Sequence, residues 1–172
     1  INLKKIKKKY PNIFNCSNIA LSNKNEVKEI FYINKNSQLC SLNENVKKIN
    51  FLKNKLFKKF KIKTNTLDSF VKKNKKLFID GVDFIKIDTE GNDFNVILGA
   101  KNSINRFKPN FIQIEMNYHN LFNGENLYQF HKLLKDYKIY KILPFNNGLI
   151  RVDPSRPENN IYHLSNFIFM KK

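Results

Sequence analysis

Two short apolar runs stand out along the chain, Phe84-Ile85-Lys86-Ile87-Asp88-Thr89-Glu90-Gly91 and Phe111-Ile112-Gln113-Ile114-Glu115, and each leaves an acid at its C-terminal end. The first passes at once into Phe94, Ile97, Leu98 and Ile104 at helical spacing, which predicts a strand feeding a helix over 92–105. Gly91 permits the sharp turn between them. Pro109 stops the helix, because its ring crowds the helical conformation of the residue before it. Strand side chains alternate, so Lys86, Asp88 and Glu90 are expected on one face, and Gln113 and Glu115 on one face of the second run. As parallel neighbours in register, the two runs set Lys86 beside Gln113 and Asp88 beside Glu115.

The rest of the pattern continues an α/β chain. Leu127, Phe130, Leu134 and Tyr137 predict a helix over 125–137, with His131 at the border of its apolar face as a packed or surface residue. Tyr140 to Phe145 and Leu149 to Val152 flank Asn146-Asn147-Gly148, a strong hairpin turn signal, and Phe167-Ile168-Phe169-Met170 supplies a last strand. Upstream, Leu3, Ile6 and Tyr10 predict the end of a helix that Pro11 closes, and Ile19-Ala20-Leu21 a short strand. Residues 23–50 have no clean period apart from a strand at Glu29 to Ile33, and read as an insertion over the active-site edge. Residues 51–63 mix apolar and lysine positions in a way that leaves strand and basic helix open. Thr66 is a good N-cap, with Asp68 favoured in the first turn by the helix dipole.

At 172 residues the chain is the size of one ordinary domain, and residues 1–172 are taken as one. Its net charge of +18 would ordinarily point to nucleic acid or an anionic membrane surface. Yet Arg106, Arg151 and Arg156 are the only arginines among 32 basic residues, in a chain also crowded with the Asn, Ile and Phe of A+T-rich codons. Lysine cannot copy the two-pronged contacts of arginine, so composition bias accounts for the charge better than nucleic-acid binding does. No run of about 18 apolar residues is present, and the basic start Lys4 to Lys9 leads into no apolar stretch. Cys16 and Cys40 have neither metal-type spacing nor the number for a disulfide framework, which suits free thiols in a reducing cytoplasm.

Central parallel strands are normally apolar on both faces, and a buried unpaired charge is costly. The acids must therefore be paired internally, Lys86 with Glu115 being the natural pair, or open onto a cleft. Ligands of open α/β sheets bind outside the carboxyl ends of the strands, where these acids lie.

Lys86-Ile87-Asp88-Thr89-Glu90-Gly91, then Leu98-Gly99-Ala100, Pro109 and Ile114-Glu115, resembles the signature of FkbM-type methyltransferases, which move a methyl group from S-adenosylmethionine, usually to a hydroxyl. Asn18-Ile19-Ala20-Leu21-Ser22 and Thr66-Leu67-Asp68-Ser69 resemble two further landmarks in the expected order. The resemblance implies a Rossmann-like class I methyltransferase sheet with antiparallel C-terminal edge strands. In it Ile19 to Leu21 is the third strand, and Ala20, Leu21 and Asp88 lie at the cofactor. Asp88 and Glu90 would serve as base, as acceptors for a substrate hydroxyl, or as ligands for a divalent cation such as magnesium. His119 is the competing base, and Glu90 and Glu115 face the substrate, a sugar, glycan or other small-molecule hydroxyl. The family's glycine-rich cofactor loop is missing from this sequence, and Ile1 stands at its head. The chain therefore reads as a partial methyltransferase domain, the C-terminal part of a longer protein, expected to bind S-adenosylmethionine weakly and to be inactive alone. The rival class is a noncatalytic basic module for nucleic acid or an acidic surface, which acids at the strand ends would oppose.

Overall fold

The computed structural model describes residues 8–9, 15–33, 40–145 and 148–172. The expected helix over residues 1–10 lies outside these, apart from Lys8 and Lys9, as do Asn146 and Asn147 of the hairpin turn. Strands β1 (Ala20–Leu21), β2 (Val27–Tyr32) and β3 (Lys58–Asn65) form a small sheet in the order β1-β3-β2, with β1 parallel and β2 antiparallel to β3. The lysine-rich stretch left open by its pattern is thus a strand over 58–65. The expected third strand of the main sheet instead joins this smaller one, because Ala20 and Leu21 pair with Thr64 and Asn65.

Helix α1 (Leu67–Lys73) follows, capped as expected by Thr66, whose hydroxyl accepts from Ser69 N at 3.0 Å. Next come β4 (Phe84–Lys86), α2 (Asp93–Leu98), α3 (Lys101–Phe107), β5 (Phe111–Met116), α4 (Tyr118–Asn123), α5 (Leu127–Leu133), β6 (Tyr137–Ile142), β7 (Leu149–Arg151) and β8 (Ser165–Lys171). Their sheet runs β4-β5-β8-β6-β7. Strands β4 and β5 are parallel, with Lys86 opposite Gln113 as the pattern predicts. The last strand inserts antiparallel between β5 and β6, and β7 closes the edge as a hairpin with β6.

One face of this sheet makes the core. Ile112, Ile114, Met116, Phe167 and Phe169 alternate onto it with no exposed surface, and meet Val96 and Ile97 of α2, Ile104 of α3 and Leu127 and Phe130 of α5. Burying each of these large side chains contributes about 1.5–3 kcal/mol. Phe94 meets Phe130 edge to face at 5.0 Å, so α2 and α5 are locked over the strand ends. The opposite face carries Lys86, Gln113 and Asn166, where Gln113 Nε2 donates to Asn166 Oδ1 at 2.8 Å.

Two helices differ from expectation. The helix over 92–105 breaks into α2 and α3 at Gly99-Ala100. Gly99 presses so closely on the end of β1 that a Cβ there would lie 2.1 Å from Ser22 O. Its carbonyl turns away to accept from Asp68 N at 3.0 Å. The helix over 125–137 ends at Leu133, and Tyr137 opens β6 with its hydroxyl donating to Pro109 O at 2.9 Å. Tyr137 still joins Leu134 in the core, because the helix end and the strand start face the same layer.

Candidate active site

The turn between β4 and α2, residues 88–92, meets the end of β5 at the carboxyl ends of both parallel strands. Ile87 N continues the ladder by donating to Gln113 O at 2.9 Å, after which the chain turns with Glu90 at φ 50° and Gly91 at φ 90°. A left-handed non-glycine residue costs of order 1–3 kcal/mol and persists where its surroundings over-determine it. Those surroundings are present on every side of the turn. Ser41 Oγ donates to Glu90 O at 2.6 Å, Asn123 Nδ2 to Gly91 O at 3.2 Å and Asn92 Nδ2 to Leu21 O at 2.9 Å. The segment around Ser41 thus covers this edge, and Asn45 ties it to α4 through Asn123 Oδ1 at 2.9 Å.

Asp93, 1% exposed, joins the two strand ends. Its Oδ1 accepts from the backbone N of Thr89 at 2.9 Å and from the Thr89 hydroxyl, and its Oδ2 accepts from Glu115 N at 3.2 Å. Burial pushes its pKa up, and the Thr89 and Glu115 hydrogen bonds oppose that.

Asp88, Glu90 and Glu115 come together over this hub. Lys86 bonds Asp88 at 2.8 Å rather than the expected Glu115, and both side chains stay about half exposed. Strand β4 stops at Lys86, which leaves Asp88 beyond the ladder within reach of its neighbour's ammonium. Asp88 also raises the Lys86 pKa. Among the described residues Glu115 makes no ion pair. Its Oε1 is buried with no hydrogen-bond partner. Burial, then the charges of Asp88 and Glu90, then a carboxyl–carboxyl contact with Asp88 push its pKa up to about 7. Burial also raises Glu90, with Asp88 and Asp93 adding to the shift.

His119 is 2% exposed, with Nδ1 unpartnered, and burial pushes its pKa down to about 4. It packs beneath the turn, where a Cβ on Gly91 would meet the His119 Cβ at 2.3 Å. Leu21 and Asp88 share the lining of an apolar cavity of about 420 Å³ beside β4 with Leu67, Val71, Val96 and Ala100. Ala20 sits one residue back in β1.

The sequence reading missed two acids. Glu125 accepts from Asn120 at 2.8 Å and Asn123 at 3.3 Å, and burial raises it to about 7. Asp93 stands in the first turn of α2, and its place four residues past Thr89 was a usable signal. Asp68, read as a first-turn acid of its own helix, caps α3. It accepts from Ser103 N at 2.7 Å, Ser103 Oγ at 2.6 Å and Asn102 N at 3.1 Å.

Among the described residues no group of three His, Cys, Asp or Glu is placed to hold a metal ion, and no helix is long and apolar enough to cross a membrane. No curated protein and no solved structure shows significant similarity to the chain. The model of the methyltransferase FkbM domain matches residues 2–139, and the chain belongs to that methyltransferase family.

Proposed function

We propose that this methyltransferase chain acts in S-adenosylmethionine-dependent O-methylation of a small-molecule hydroxyl, a sugar or glycan alcohol, with the Asp88–Glu115 carboxyl pair as the base. The observation that carries the reading is the contact between two carboxyls at adjacent strand ends, one of them titrating near neutrality with an oxygen free of protein partners. Methylating an alcohol requires removal of its proton, and a base works best when its pKa lies near the working pH. Lys86 stays bonded to Asp88 at 2.8 Å, and above about pH 7 the Glu115 carboxyl gives up its proton. Glu115 Oε1 is then the acceptor for the alcohol proton, and Glu90 offers a second acceptor from a turn that its neighbours hold rigid. A held geometry is worth a large part of such a barrier. His119 shapes the turn under Gly91, since its low proton affinity makes it a poor base.

The cavity shared by Leu21 and Asp88 fits the adenosyl part of the cofactor, with apolar walls, one carboxylate and a volume within the about 300–1,000 Å³ usual for small-molecule sites. Bound there, S-adenosylmethionine supplies the electrophilic methyl group. The strand order β4-β5-β8-β6 with β8 reversed supports a Rossmann-like class I sheet, and two cysteines, too few for a disulfide framework, support a cytoplasmic setting.

The test measures transfer of a radiolabelled methyl group from S-adenosylmethionine to sugar alcohols by the full-length gene product between pH 5.5 and 8.5. Turnover is expected to rise with one apparent pKa near 7, and Glu115→Gln to lower kcat about a hundredfold. A flat pH profile together with a fully active variant would refute the assignment.

A further inference from the structure

At the opposite end of the main sheet a second hollow opens. The acids lie where β4 and β5 end, whereas Tyr137 to Ile139 open β6 beside Lys171 and Lys172 at the close of β8. Between them and the loop after β7 is a cavity of about 700 Å³. Arg151, Arg156, Lys138 and Lys172 line it, with Asp153 as the one acid of the lining.

Of these four cations, Lys172 is committed, its Nζ donating to Lys135 O at 2.6 Å. Among the described residues Arg151 and Lys138 make no ion pair and no side-chain hydrogen bond. Arg156 stands 3.8 Å from Asp153 and 3.9 Å from Glu158, beyond hydrogen-bond length, with its side chain two-thirds exposed. Asp153 is occupied by its own loop, accepting from Ser155 N at 2.9 Å and Ser155 Oγ at 2.7 Å. Lining the same space, His131 Nδ1 is buried with no partner.

Lysine is spread over this whole surface by composition and singles out no place. Arginine does, since two of the chain's three converge on this cavity, and the guanidinium fork matches the oxygens of a phosphate in a way lysine does not. Ile139, Val152 and Pro154 add apolar wall beside the charged rim.

We infer that this cavity binds a phosphate-bearing small molecule, its phosphate held by Arg151 and Arg156 and its organic body against the apolar wall. The site is separate from the strand-end acids and does not rest on the methyl-transfer reading.

The probes are inorganic phosphate and pyrophosphate, titrated calorimetrically into the intact chain at 0.15 M salt. One saturable site is expected, tighter for pyrophosphate. Arg151→Gln and Arg156→Gln should each weaken it about tenfold or more. Arg151→Lys, which keeps the charge and removes the fork, should still lose most of that. Arg106→Gln makes the same change of charge on α3 and should leave binding unaltered. Circular dichroism confirms that the variants, all at exposed positions, remain folded. Absence of saturable binding by both probes overturns the inference. So does an Arg106→Gln loss equal to the others, which would show only diffuse attraction to a lysine-rich surface.

Discussion

Glu115→Gln should make the protein more stable and less active at once. In the folded chain the Glu115 carboxyl titrates near 7 instead of 4.5, so folding holds its proton more tightly than the unfolded chain does. The sign follows from linkage. Below pH 4.5 both states are protonated and nothing is lost, between 4.5 and 7 the unfolded state ionises first, and above about 7 the full cost is present. That cost is at most about 3 kcal/mol, at about 1.36 kcal/mol for each tenfold change in proton affinity. Partial exposure and the coupling to Asp88 reduce it to about 1–2 kcal/mol. Glutamine keeps the shape and a donor toward Asp88 without the charge. The variant should therefore match wild type at pH 4.5 and melt roughly 2–8 °C higher at pH 8. Urea and thermal unfolding followed by circular dichroism at several pH values would show the gap opening between these limits. A Lys86–Glu115 ion pair forecasts the reverse, a loss of about 3–5 kcal/mol from a stranded charge. Lower stability of the variant at pH 8, or a gap independent of pH, would refute the reasoning.

Asp93→Asn replaces a buried acceptor of three hydrogen bonds by a group that must turn a donor toward at least one of them, and should cost about 2–4 kcal/mol in urea unfolding; unchanged stability would show that Asp93 does not join the strand ends. Gly91→Ala meets both a positive φ and the His119 Cβ, and should cost about 3 kcal/mol or more, with His119→Gly in the same chain recovering part of it. Asp68→Ala removes the cap of α3 and should lower stability by about 1–2 kcal/mol, with Asp68→Asn losing less, as read by thermal melts.

How far the fold was legible depended on the range of the forces involved. The pairing of β4 with β5 could be read to the residue, because alternation fixes which side chains face the core and one slipped position would expose Ile112 and Ile114. The β6–β7 hairpin was legible from its turn. The break at Gly99 was not, since Phe94, Ile97, Leu98 and Ile104 keep helical spacing straight through it. What breaks that helix is a backbone contact with Ser22, far away in the sequence. Residues 51–63 were ambiguous for a similar reason, for only the partner strands β1 and β2 decide between two periods that the lysines fit equally.

The acids were found and their partners misassigned, and the cause is the same. Register alone set Lys86 against Gln113, which is correct, and Asp88 beside Glu115, whose carboxyls meet beyond the ladder, yet a lysine can reach along its own strand as easily as across. Two distant elements settle the matter. Strand β8 brings Asn166 to occupy Gln113, and the end of β4 at Lys86 frees Asp88 to take the ammonium. Glu115 is thereby left without an ion pair among the described residues and with three carboxyls close by, while Asp93 grips its backbone and that of Thr89 across the two strand ends. A repulsive pair can be kept at contact only by such a clamp, because like charges would otherwise separate or draw in a cation. The raised proton affinity of Glu115 is thus held in place by Asp93, and the two residues form one device whose parts no local reading of the sequence could join.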